Sequence, residues 1–213
     1  MWKQKLDVLA ETYPEVIKTY KSATATQIRH TEHLLDFRLT EVEPTWSDFL
    51  RSTNGASLLD YCLLEAESTV VESISNVNRT YWDLDIYHWM RDHFICFLTD
   101  SSPMNIGFVR VGQRVRCVAC LADPTDTAVL PIASSFEAFL KSFLDDVETT
   151  LRLWIPASGE RRPYGISDIW SLDLASWSRR DRDLRTLLRQ GALDDLFEGD
   201  EYYSKQVNTI KKR

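Results

Sequence analysis

Residues 49–64 read FLRSTNGASLLDYCLL. Phe49 and Leu50 close an apolar stripe at helical spacing that begins at Trp46. Pro44 stands at the start of that helix, where its missing N–H costs no hydrogen bond. Asn54-Gly55 then breaks the pattern, and the apolar run from Leu58 to Glu65 reads as a strand. Gly55 or Asn54 is expected to take the left-handed conformation that ends a helix. No nucleophile–base pair or phosphate-binding pattern accompanies the break, so it reads as architecture rather than as a catalytic loop.

Upstream, Leu6, Leu9, Val16, Ile17 and Tyr20 lie at helical spacings, interrupted by Pro14. Two short helices or one kinked helix are expected there. SATATQ (22–27) reads as a polar linker, and QIRHTEHLLDFRL as a short helix carrying Ile28, Leu34 and Leu35.

Downstream, Thr69 and Glu72 have capping-box spacing before Ile74 and Val77, which predicts a helix to about Asn78. TYWDLDIYHWM (80–90) has no single period. HFICFLT (93–99), IGFVRV (106–111) and RVRCVACL (114–121) favour β structure, with Gly112-Gln113 as a two-residue hairpin turn. ADPTDTAVLP reads as a loop. In PIASSFEAFLKSFL (131–144), continuing to Val147, Phe136, Phe139, Leu140, Phe143 and Leu144 form an amphipathic face, with Ser134 as the expected cap. Beyond residue 155 come a Pro- and Gly-containing linker, two short helices, the second stopped by Gly191, and a polar tail.

The chain has 213 residues, 44% hydrophobic and 27% charged, which places it among globular proteins rather than disordered ones. Its net charge of −7 argues against binding a phosphate backbone. The charged N-terminus does not resemble a signal peptide, and no long apolar run suggests a membrane span. Cys62, Cys96, Cys117 and Cys120 lie in or beside apolar runs and read as free thiols of a cytoplasmic protein.

Glu32 with HLLDFRL, then Pro44, then FLRSTNG, then IASSFEAFL after a β-meander resembles the SUKH superfamily, the Smi/Knr-like domains. The resemblance covers roughly residues 26–148. It departs from the family pattern at Asp36, where the early turn usually has Gly, and at TDSSPMNIG, which replaces an acidic, Gly-rich hairpin. It implies an α+β fold, mainly an antiparallel sheet with helices packed on it, and no cofactor. The expected organisation is an N-terminal helical segment (1–25), the SUKH-like domain (26–150), and a C-terminal helical extension with a polar tail (151–213). Bacterial members look like immunity proteins that bind and neutralise polymorphic toxins; fungal members are regulators and scaffolds.

The residues add little enzyme chemistry. His30 and His33 share a helix face but lack two further zinc ligands. Cys117 and Cys120 have C-x-x-C spacing, yet in a strand they point to opposite faces. The richest cluster is Tyr81, Trp82, Asp83, Asp85, Tyr87, Trp89 and Asp92, with Asp100 and Asp123 as possible rim charges. Aromatic and acidic side chains together describe a protein-binding surface; the same aromatics equally serve to cover a sheet. The expected protein is therefore a non-enzymatic binder of a toxin domain. The alternatives are a scaffold using residues 156–213 as a docking arm, and an enzyme using the carboxylate–imidazole groups between Asp83 and His93.

Overall fold

The continuous apolar run Phe94–Thr99 is buried on both faces along nearly its whole length, as the central strand of a covered sheet must be. It is β4 of a seven-stranded antiparallel sheet whose strands follow one another in chain order. This computed structural model describes residues 2–66, 73–100, 105–121, 125, 127–154 and 174–211. The other strands are β1 (Ile17–Thr19), β2 (Ala56–Leu58), β3 (Tyr61–Leu63), β5 (Asn105–Val111), β6 (Arg114–Leu121) and β7 (Leu130–Ala133). The helices are α1 (Trp2–Thr12), α2 (Ala25–Leu35), α3 (Leu39–Val42), α4 (Pro44–Ser52), α5 (Ile74–Trp82) and α6 (Met90–His93). They continue with α7 (Phe136–Trp154), α8 (Leu174–Arg180), α9 (Arg182–Arg189) and α10 (Glu201–Lys211). The α+β fold expected from the sequence is present.

The amphipathic face of α7 organises the core. Phe136 and Phe139 pack on Phe97 of β4 with ring centroids 5.0 and 5.1 Å apart, and Phe49 of α4 meets Phe136 at 5.6 Å. One buried cluster runs from Leu6 to Val207. Helix α1 is tied to α7 by Lys5, which reaches Asp145 and Glu148. Helix α8 sends Trp177 into the Phe139 and Phe143 rings while its indole N–H donates to Asp146.

Several expectations are corrected. Residues 16–20 do not continue a helix: after Pro14 the chain extends and Ile17–Thr19 pairs with β2. The stretch 58–65 is not one strand but two, β2 and β3, reversed at Leu59, whose φ is +59°. A β-turn with Leu in the left-handed region carries no sequence signal. Thr24 and Gln27, read as linker, form the capping box of α2. The expected box at Thr69 and Glu72, with Val70 and Val71, lies outside the described residues; α5 is capped by Ser73 and extends to Trp82. Ser135, not Ser134, caps α7, while Ser134 is held by Asp181. The expected polar tail is α10, which buries Tyr203 and Val207.

The Asn-Gly break also differs from a helix cap. Helix α4 ends at Thr53 in extended conformation. Asn54 accepts the Ala66 N–H at 2.8 Å and reaches Glu65 with its amide nitrogen. Gly55, at φ +91°, passes so close to β3 that an added Cβ would lie 2.6 Å from the Leu63 carbonyl oxygen. The pair is a corner between helix and sheet.

Two predictions follow from buried polar groups. Asn78 is fully buried, and its carboxamide both accepts the Cys96 N–H and donates to the Cys96 carbonyl, each at 2.8 Å. Asn78→Ala leaves two buried backbone groups unpaired and should lower unfolding stability by roughly 3 kcal/mol in urea titration. A loss below 1 kcal/mol by that measure contradicts the role.

Glu43, 8% exposed, lies between α3 and α4 and accepts the Phe136 N–H at the start of α7. Burial, with the nearby Glu137 charge adding to it, pushes its carboxyl from 4.5 up to about 7. A raised folded-state value means that the folded chain holds the proton longer than the unfolded one. Its contribution is complete below pH 4.5 and is lost as pH rises through about 7. The loss is on the order of 3 kcal/mol. In Glu43→Gln the fall in urea midpoint between pH 5 and 8 should be clearly shallower than in the parent; equal slopes would falsify the assignment.

Candidate docking surface

The chain between α5 and α6 forms a knuckle. Helix α5 ends as Asp83 N–H bonds back to Arg79, and Leu84 N–H to Tyr81. A 3₁₀ turn at Asp85–Tyr87 follows, closed by Tyr87 N–H on the Leu84 carbonyl, and α6 begins three residues later. Every residue from Asp83 to Ile86 is exposed.

The knuckle stands on aromatic side chains. Tyr81 and Tyr87 meet edge to face at 5.5 Å, and the Tyr81 hydroxyl donates to Asn105 on β5 at 3.2 Å. Trp89 packs on Phe94 at 6.4 Å. Phe94 in turn lies against Gly107, where an added Cβ would sit 2.6 Å from the ring. Tyr81, Trp82, Tyr87 and Trp89 are thus half-buried and cover the core. Burial holds the Tyr81 phenol above its usual range. Among the described residues nothing accepts the buried Trp82 indole N–H.

The exposed apolar groups are ones that the sequence reading passed over: Leu84, 46% exposed, and Ile86, 59% exposed. They alternate with Asp83 and Asp85, both exposed. Residues 79–93 carry three Asp and two Arg, so this surface is close to neutral rather than strongly acidic.

The remaining expected site residues are dispersed. Asp92 is exposed on α6, two residues before β4, and acts on Arg110 through space. Asp100 follows the far end of the same strand, roughly 20 Å away at the usual rise per residue. There it stands beside Tyr61 and Cys120. Asp123 lies outside the described residues.

The groups between Asp83 and His93 do not assemble into an acid–base pair. His88 Nδ1 faces the backbone carbonyl of Asp85, not a carboxylate. His93 lines a cleft of about 360 Å³ with Trp89, but Asp83, Asp85 and Asp92 do not line it. A larger groove of about 880 Å³ between α2 and α3 includes Glu32 and His33, and there Glu32 is engaged by the backbone N–H and hydroxyl of Thr40. Among the described residues no group of three or more His, Cys, Asp or Glu side chains could hold a metal ion. No helix among them is long and apolar enough to cross a membrane.

Comparison with protein-family models gives no match, and comparison with curated proteins gives none.

Cys117 and Cys120 lie on β6, both buried, and burial pushes each thiol up to about 12. Cys96 is raised in the same way, while Cys62 is only half-buried. With a thiol reagent at pH 8, native protein should react quickly at Cys62 alone, and the other three only on unfolding. Mass mapping that finds Cys117 or Cys120 labelled first contradicts this burial.

Proposed function

We propose that this chain is a non-enzymatic protein-binding domain of the SUKH type, a cytoplasmic immunity protein that binds a cognate toxin domain and occludes its active site. The observation that carries the reading is the knuckle: exposed Leu84 and Ile86 between Asp83 and Asp85, on a base of packed aromatic rings. Apolar side chains held on a rigid support bury surface on docking with little loss of freedom, which is what strong interface contacts require. The carboxylates between them select a partner surface with basic groups beside an apolar pocket.

Local features accord with the family resemblance. Asp36, standing where the early turn usually has Gly, is in the left-handed region at φ +49°. Helix α4, the meander and the SFEAFL helix follow one another in the order that the resemblance implies. The extension offers less for a separate docking arm, because Trp177, Leu184, Leu188 and Val207 are buried in the common core.

The near-neutral knuckle divides the labour. Affinity rests on Leu84 and Ile86, and the acidic pair contributes mainly to rate. The test takes the secreted-toxin domain that the reading requires to be encoded beside this chain; a native genome with no such neighbour counts against the immunity reading. Equimolar protein should abolish the toxin's activity. Leu84→Ser and Ile86→Ser should each raise Kd about tenfold or more, with the dissociation rate carrying the change. Asp83→Lys with Asp85→Lys should slow association more at low salt than at high salt. All four positions are exposed, so fold stability should stay within about 0.5 kcal/mol. Full protection by the Leu84 and Ile86 variants at unchanged Kd sinks the knuckle assignment. A toxin left active by excess protein sinks the immunity reading.

A further inference from the structure

We infer that the cleft bounded by Trp89, strands β5 and β6, and the 3₁₀ turn Asp194–Leu196 is a socket for one large, uncharged apolar side chain of the docking partner. The inference rests on the docking reading above and extends it from the knuckle to a second contact. The cleft holds about 360 Å³, at the small end of ligand pockets and enough for a single ring with its stem. Trp89, Phe94, Val109, Val111, Val129 and Leu196 form its apolar walls.

The arginines beside the cleft are already engaged. Val109 and Val111 line it from alternate positions of β5, which turns Arg110 to the other side of the strand. There its guanidinium donates to the Asp36 and Arg91 carbonyls. Arg116 is held by Asp195: its two Nη atoms donate to the two carboxylate oxygens, each at 2.7 Å. A bidentate pair of this kind leaves neither charge for a ligand to match. His93 and Thr127 are the other polar groups on the lining, and both are exposed. A charged group entering here would lose water against apolar walls and meet no free counter-ion. An uncharged ring avoids that cost and gains apolar contact.

Two observations make the occupant a side chain of the partner. Trp89 belongs both to the cleft and to the base of the knuckle, and it follows Ile86 by three residues. Their Cα atoms therefore lie within about 11 Å of each other. A standard interface covers roughly 800 Å² on each partner, so a protein seated on Leu84 and Ile86 reaches the cleft mouth. Val111, 56% exposed, stands at that mouth on the β5 side. The cleft is also preformed: Trp89 packs on Phe94, and the Leu196 carbonyl accepts the Val129 N–H at 2.7 Å. Walls fixed before docking lose little freedom on binding, and interface energy concentrates where an anchor fills such a pocket.

The full chain is titrated with p-cresol, the side-chain analogue of tyrosine, and followed by methyl NMR. Benzoate and benzylamine serve as charged counterparts of similar size. p-Cresol should bind saturably in the millimolar range and shift the Val111 and Val129 methyls, with both charged probes at least tenfold weaker. Val111→Glu and Thr127→Glu, at exposed positions, place a charge at the mouth while the melting temperature holds. Each should abolish p-cresol binding and raise Kd for the toxin domain about tenfold or more. A parent chain that binds no toxin domain defeats the docking reading and the socket with it. If the parent binds and Leu84→Ser weakens it, yet both Glu variants keep the parent Kd, the docking reading stands and the socket is overturned. The socket is also overturned if p-cresol does not saturate, or if benzoate or benzylamine binds as well.

Discussion

The position of α5, and with it everything presented between α5 and α6, depends on one carboxamide. Strand β3 runs beside β4 only as far as the bond from Leu64 N–H to the Phe97 carbonyl. At Cys96 the Asn78 side chain takes over, giving Cys96 one acceptor and one donor. A primary amide carries the same donor–acceptor pair as a peptide unit, so it extends the ladder by one step. It fills an edge that would otherwise hold unpaired buried backbone groups. The same nitrogen also donates to the Ile74 carbonyl within α5, which locks the side chain to its own helix. Tyr81, one turn further on, then reaches Asn105 on β5. The knuckle begins from a helix fixed at two points.

Asn54 applies the same chemistry at the other end of this unit. By accepting the Ala66 N–H it holds the chain leaving β3 against the end of α4. Glu65 then accepts the Ile74 N–H where α5 starts. Asn54 and Asn78 thus bracket the segment between β3 and β4, one where it departs and one where the helix docks. Gly55 is required between α4 and β2 because the backbone of β3 occupies the space a side chain would need. The short Asn-Gly sequence is explained by two contacts distant in the chain, with Leu63 and with Ala66, rather than by the helix it follows.

That difference marks how much was legible. Periodicity reports burial on a regular element, so α7, the meander β4–β6 and the stop at Gly191 could be read directly. It does not report turns made by residues that ordinarily avoid them, as at Leu59, nor a three-residue strand such as β1, whose only buried residue is Ile17. Helix α10 was hidden for a related reason: few apolar side chains in a polar stretch do not outweigh their neighbours until a surface exists to receive them. The aromatic residues of the knuckle were visible as a cluster, but their depth was not. Composition marks Tyr81, Trp82, Tyr87 and Trp89, whereas the exposed apolar groups are the aliphatic Leu84 and Ile86 between them.

Electrostatics leads to the same division between support and contact. Part of the acidic excess is spent on the scaffold: Asp145, Asp146 and Glu148 on α7 engage Lys5 of α1 and Arg180 of α8. Single exposed pairs of this kind contribute little, but here one group of carboxylates joins three helices around the aromatic core. Another share gathers at Asp194, Asp195, Glu198, Asp200 and Glu201, where Asp195 is bound to Arg116 and Asp194 to Lys211. The net charge of −7 therefore does not belong to the knuckle. A long-range acidic field and a local apolar contact are separate features of this surface: on the proposed reading the field would set how often a basic partner arrives, and Leu84 and Ile86 how long it stays.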